Sequence, residues 1–167
     1  MSEFNLGPAS EDEIYVYGAE GPGYNVGKWI AFMRDQGIER VCCLQKEKIP
    51  DLIRIYIKEF GEENVKEASI EDYHLASLTT LKHEILPFLQ DSYEKEKRVV
   101  VHCAGGRGRT GHVLAAWLVF RYGIKPSDAI STVERMGRNP KEATYYGNAT
   151  LDELLALLSR CGNLLTR

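Results

Sequence analysis

The run His102-Cys103-Ala104-Gly105-Gly106-Arg107-Gly108-Arg109-Thr110-Gly111 sets a thiol six positions before an arginine, with three glycines between them and a hydroxyl just after. Glycines at 105, 106 and 108 allow backbone angles that turn successive amides toward one point. Val99-Val100-Val101 leads into the run as a strand, and the apolar stretch from His112 to Tyr122 leaves it as a helix. A helix opening near Arg109 or Thr110 adds unpaired N–H groups and the positive end of its dipole. Such a loop holds a tetrahedral oxyanion. It also favours thiolate over thiol at Cys103, and the thiolate is the nucleophilic form. Arg109 offers a planar fork for two phosphate oxygens, which a lysine could not match. Thr110 is placed to give its hydroxyl to the sulfur when the thiolate leaves. The chemistry expected is attack by Cys103 on a phosphoryl group cradled by Ala104, Gly105, Gly106, Arg107 and Gly108.

A loop of this kind needs a strand and a helix held in a rigid frame, and the chain carries alternating signals for one. Residues 14–17 read as a strand, followed by a glycine-rich turn over 18–23. That turn lacks the Lys-Ser/Thr pair of a nucleotide P-loop and reads as a surface turn bordering the site mouth through Tyr24. A helix over 26–36 stops at Gly37, and a strand follows over 40–44. Ile49, Leu52, Ile53, Tyr56, Ile57 and Phe60 recur at helical spacing up to Gly61. A strand over 65–70 precedes a helix near 78–90, which Pro87 should bend or break. Ser127 reads as the N-cap of a helix through Met136. Thr150 and Glu153 form the capping box of a last helix. Strands separated by helices predict an α/β fold of three layers, α/β/α, with a mainly parallel central sheet.

The segment 102–111 resembles the signature loop of cysteine-based protein tyrosine phosphatases, His-Cys-x5-Arg-Ser/Thr-Gly, at every defining position. The likeness to small dual-specificity phosphatases runs over roughly residues 12–165, and the same α/β/α fold is implied by it. It further implies a two-step reaction in which Cys103 forms a phosphocysteine that water then hydrolyses. His102 would orient the loop. The family carries a general acid on a mobile loop some thirty residues upstream, and Asp72 lies thirty-one positions before Cys103. A positioned acid protonates a poor leaving oxygen and contributes about 10²–10⁴ in rate. Asp72 is favoured on spacing, with the adjacent Glu71 as competitor, and the stretch lacks the proline many relatives have near the acid. His74 either positions the acid or is merely exposed.

Substrate is less constrained. The chain has little sequence for the walls of a deep tyrosine-specific cleft, so a shallow pocket taking phosphotyrosine, phosphoserine and phosphothreonine on protein substrates is expected. Arg107 keeps open the alternative of phosphoinositides, inositol phosphates or RNA 5′-phosphates, although position 104 is alanine rather than a second basic residue. A phosphate-binding module without turnover is the other rival. Arg138 and Asn139 either line the site or form an Asn-Pro turn.

With 167 residues, 44% hydrophobic and 27% charged, the chain reads as a single domain over 1–167, with 1–12 as a loose N-terminal tail. A net charge of −3 with mixed signs gives no reason to expect nucleic-acid or membrane partners. No run approaches the length of a membrane span, and the polar N-terminus is unlike a targeting signal. A cytoplasmic monomer is therefore expected, with no metal or cofactor. The four cysteines, 42, 43, 103 and 161, show no zinc spacing. Cys42 and Cys43 read either as small core hydrophobes or, as some related phosphatases imply, as partners protecting an oxidised Cys103 through a disulfide. Cys161 reads as structural.

Overall fold

A computed structural model describes residues 3–162. Five strands form one sheet in the order β1-β2-β5-β3-β4: β1 (Gly7–Pro8), β2 (Val16–Glu20), β3 (Ile38–Gln45), β4 (Val65–Ile70) and β5 (Arg98–Cys103). All neighbours are parallel except β1 on β2. The four parallel strands therefore end along one edge, where α/β sheets bind ligands. The stretch read as a loose tail is already engaged from its first described residues: Glu3 pairs with Lys28, Phe4 packs on Phe32, Gly7 and Pro8 pair with Gly18 and Tyr17, and Ala9 is buried. Glu13, also buried, accepts from the Ile14 and Tyr15 amides, Trp117 Nε1 and the Tyr122 hydroxyl.

β5 is central and buried on both faces, which is why its core reads Val-Val-Val without alternation. Val99, Val101 and Cys103 join one core. Val100 joins the other. The helices α1 (Val26–Asp35) and α2 (Leu52–Phe60) cover the Val100 face through Trp29, Met33 and Tyr56. The opposite face carries the remaining larger helices around α5 (Gly108–Tyr122), which is buried from Gly108 to Phe120. It packs against α4 (Leu86–Glu94), α6 (Pro126–Arg135) and α8 (Leu151–Cys161), and the short α3 (Leu78–Thr80) joins this face against α8. A four-residue helix, α7 (Glu142–Tyr145), lies between the last two in sequence and has no counterpart among the sequence expectations.

Two expectations are refined by local chemistry. The helix near 78–90 is neither broken nor simply bent at Pro87. A π turn over Leu81–Ile85 joins α3 to α4, and Pro87 falls in the first turn of α4, where its missing N–H is least needed. Ser127 is not a cap: Pro126 opens α6 and Lys125 takes the N-cap position. The capping box at Thr150 is present in both directions, with bonds of 3.0 and 3.1 Å. Among the described residues no helix is long and apolar enough to cross a membrane.

Candidate active site

The segment expected to cradle phosphate runs from the end of β5 into α5, and its carbonyls are turned outward one after another. Cys103 O faces Nδ1 of His102 at 3.1 Å, and Ala104 O accepts from the Gly21 amide at 3.0 Å. Gly106 O accepts from Nη1 of Arg138 at 2.8 Å. Arg107 O accepts from the Gly111 and Asn139 amides at 2.9 and 3.1 Å. In a trans peptide the N–H points opposite to the carbonyl, so each of these anchors turns the following amide toward the interior of the loop. Gly106 adopts φ +70°, and a β-carbon there would fall 2.5 Å from the Ala19 carbonyl carbon and the Glu20 nitrogen. Only glycine fits this close approach to β2.

Cys103 is buried at the base of the loop. Its Sγ accepts from the Gly106 amide and from Oγ1 of Thr110, both at 3.2 Å. Behind it His102 is fully buried: Tyr56 OH lies 3.0 Å from Nε2, and the Trp29 ring packs against the imidazole. Burial pushes the His102 pKa down to about 4, so the ring is neutral. With Nδ1–H donating to Cys103 O, Nε2 is left to accept from the Tyr56 hydroxyl.

Arg109 is 2% exposed and is held by a residue absent from the sequence expectations. Glu47, on the loop after β3, grips it in a bidentate pair, Nη1–Oε1 2.6 Å and Nη2–Oε2 2.8 Å, and Ile70 O accepts from Nη1 at 3.0 Å. Burial opposes the charge on Arg109, but Glu47, Cys103 and Asp72 outweigh it and its pKa is raised. The Glu47 carboxyl is correspondingly held below its ordinary range by its bonds from Arg109. Nε of Arg109 has no hydrogen-bond partner among the described residues. Together with Nη2 it forms the guanidinium edge that Glu47 leaves free.

The loop after β4 brings Asp72 rather than Glu71 to this place. Asp72 Oδ1 is 3.4 Å from Arg109 Nη2, whereas Glu71 is exposed and does not line the hollow. That hollow, about 150 Å³, has Cys103, Gly105 and Gly108 on its floor, with Asp72, Tyr73, Arg107 and Glu142 around it. It is small. Arg107 is exposed at its mouth. Glu142, on α7, lies against Gly108, and desolvation together with the charge of Asp72 raises its pKa. His74 is half-buried and turns back on its own loop, its Nδ1 2.9 Å from Asp72 O. Tyr24 points fully into solvent, and its loop borders the cradle through Gly21 instead.

Arg138 is a buried strut, not part of a surface turn. Besides Gly106 O it donates to Gly18 O at 2.7 Å and Gly7 O at 3.4 Å. The disulfide reading of Cys42 and Cys43 fails on geometry. Cys43 joins the core on the opposite face of the sheet from Cys103. Cys42 pairs with Val101, so its diagonal Cα separation from Cys103 is about 8 Å, beyond a disulfide's span. Both are core residues whose thiol pKa is pushed up by burial, and Cys161 is likewise buried in α8. No group of three or more His, Cys, Asp or Glu among the described residues is arranged to hold a metal.

Residues 19–123 match the family described as "Polymorphic toxin system, DSP-PTPase phosphatase". The chain belongs to that family. It is thus a member of the cysteine-based phosphatase superfamily, of its tyrosine and dual-specificity class. The human RNA/RNP complex-1-interacting phosphatase is 35% identical over 65 residues, covering 39% of this chain and 20% of that protein. Human dual specificity protein phosphatase 7 is 29% identical over 105 residues, covering 62% of this chain and 25% of that one. The chain therefore spans at most a quarter of these relatives' length. The solved structure of PTPMT1 in complex with PI(5)P superposes with a TM-score of 0.74 at 15% identity, covering 98% of this chain and 97% of that one, a likeness of fold.

Proposed function

We propose that this phosphatase hydrolyses phosphomonoesters on protein substrates, phosphotyrosine as well as phosphoserine and phosphothreonine, through a phosphocysteine intermediate. The thiolate of Cys103 attacks phosphorus while the bond to the ester oxygen breaks, and the carboxylic acid of Asp72 gives its proton to that oxygen. Water then attacks the phosphocysteine, Asp72 takes its proton, and the S–P bond breaks with the thiolate stabilised by Thr110. Through the second step the free edge of Arg109 and the inward amides of 104–108 hold the phosphoryl oxygens. Glu47, His102 and Arg138 position these groups. The observation that supports this reading most is the convergence of Asp72, Arg109 and Cys103 on one small hollow.

The short loops around this small hollow support tolerance for the side chain that carries the phosphate. Phosphoinositides, inositol phosphates and RNA 5′-phosphates form a second reading that rests on Arg107, which among the described residues is the one cation besides Arg109 lining the hollow. Asp72 and Glu142 stand across from it and oppose additional phosphates on a substrate. The test is a panel of phosphotyrosine and phosphothreonine peptides, a phosphoinositide and a 5′-phosphorylated RNA, assayed with chelator present. Peptide turnover that is lost in Cys103→Ser and in Asp72→Asn, but kept in Glu71→Gln, is expected. Faster turnover of lipid or RNA would shift the assignment to the second reading, and no turnover of any substrate would leave only a binding module.

A further inference from the structure

His112 follows the signature loop and has no part in the scheme above, yet it ties the start of α5 to the loop that carries Asp72 through a backbone amide. Its ring is 1% exposed, in the first turns of α5. The amide of Ala76 donates to Nε2 at 2.9 Å, and Nδ1 lies 3.1 Å from Gly108 O. An amide can only donate and a carbonyl can only accept, so the ring is neutral with its proton on Nδ1. Ala76 is itself buried, and without the imidazole its N–H would have no acceptor.

We propose that His112 is a positioning residue for general-acid catalysis, holding the acid loop at the distance from the cradle that presents Asp72 over Cys103. This rests on the reading of Asp72 as the acid. There is little slack between the anchor and the acid. The His74 amide donates to Glu71 O at 3.1 Å, and its Nδ1 lies 2.9 Å from Asp72 O, closing a turn. The outer side of the same turn is pinned at Tyr73, whose carbonyl accepts from Asn148 Nδ2 at 2.9 Å and whose ring stacks on Tyr146 at 4.0 Å. Both of those contacts lie at exposed residues, whereas the His112 bond is buried and borders the signature loop directly.

The test compares kcat/KM, which reports phosphocysteine formation, for two aryl phosphates. Phenyl phosphate needs its leaving oxygen protonated; 2,4-dinitrophenyl phosphate does not. His112→Leu should lose about tenfold or more on phenyl phosphate, part of an acid's contribution of about 10²–10⁴, and little on the dinitrophenyl ester. His112→Gln keeps an acceptor for the Ala76 amide and should recover most of the loss. In an Asp72→Asn background His112→Leu should add nothing further on phenyl phosphate, because the group it positions is gone. Equal losses on both esters, or additive losses in the double variant, would show damage to the cradle and overturn the proposal. Should His112→Leu not fold, the Gln variant in the two backgrounds decides: any loss it shows must be confined to phenyl phosphate and vanish beside Asp72→Asn. Full activity of both His112 variants would also overturn it. If Asp72→Asn alone spared phenyl phosphate, the assignment of the acid would fall first, and with it this inference.

Discussion

Replacing Arg138 by methionine removes a buried fork while keeping most of its volume, and its effect can be worked from three carbonyls. Gly106 O and Gly18 O are bonded at 2.8 and 2.7 Å and Gly7 O more loosely at 3.4 Å. Leaving two buried carbonyls without donors costs about 1–3 kcal/mol each. Against this stands the unfavourable burial of the guanidinium, which pushes the Arg138 pKa down to about 10 and which methionine relieves. The net loss should fall near the low end, about 2 kcal/mol, or roughly 4–8 °C in Tm for a domain of this size. Activity should suffer more than stability. Freeing the 106–107 peptide releases an amide from the oxyanion cradle, and such a donor is worth about 10²–10³ in rate. Thermal denaturation, kcat/KM on an aryl phosphate and inhibition by orthovanadate report the two effects separately. Arg138→Lys, with charge but no fork, should restore more stability than activity. A methionine variant that melts early yet keeps kcat/KM and vanadate affinity within about twofold would refute the claim that this arginine shapes the cradle.

Two further substitutions probe the carboxylates around Arg109. Glu47→Gln should lower kcat/KM by about tenfold at neutral pH by loosening the Arg109 fork. Because Arg109 depresses the Glu47 carboxyl, the wild type's stability advantage should be full above the ordinary carboxylate range, near pH ~4.3, and disappear as pH falls below it, which melting curves across pH will check. Glu142→Gln acts in the opposite sense. Desolvation and the charge of Asp72 raise the Glu142 carboxyl, so its neutral replacement should stabilise the fold at neutral pH, with the gain vanishing in acid where Glu142 is already protonated. The same variant should lower KM for substrates bearing several phosphates, measured on an inositol polyphosphate.

What was legible in the sequence follows the range of the interactions. The nucleophile, the glycines and Arg109 lie within one strand-loop-helix unit, so their chemistry could be read from spacing alone. The strands β4 and β5, the helix after the signature loop and the Thr150 capping box are likewise local in origin. The groups that hold the site in register are distant: Glu47 reaches Arg109 across 62 positions, His112 reaches Ala76 across 36, and Arg138 reaches Gly18 across 120. Nothing near Arg138 in sequence distinguishes a buried strut from the arginine of an Asn-Pro turn, since its partners are backbone carbonyls supplied by other elements. The two-residue β1 was hidden for the same reason, its pairing being set by β2 rather than by its own residues. The disulfide suggested for the vicinal cysteines failed because alternation along β3 sends Cys43 to the far face, while register keeps Cys42 two residues short of Cys103.

The central claim is that Cys103 carries the phosphoryl group between substrate and water. Rapid acid quench of the Asp72→Asn variant on 2,4-dinitrophenyl phosphate, followed by mass spectrometry of the peptide spanning 98–107, tests it directly. Hydrolysis of the intermediate should be slowed in that variant, because Asp72 also serves as the base, while the activated ester still loads the enzyme. A mass increase of one phosphoryl group on Cys103 is expected, absent from Cys103→Ser. Turnover with no phosphorylated Cys103 at any quench time, or with activity retained in Cys103→Ser, would contradict it.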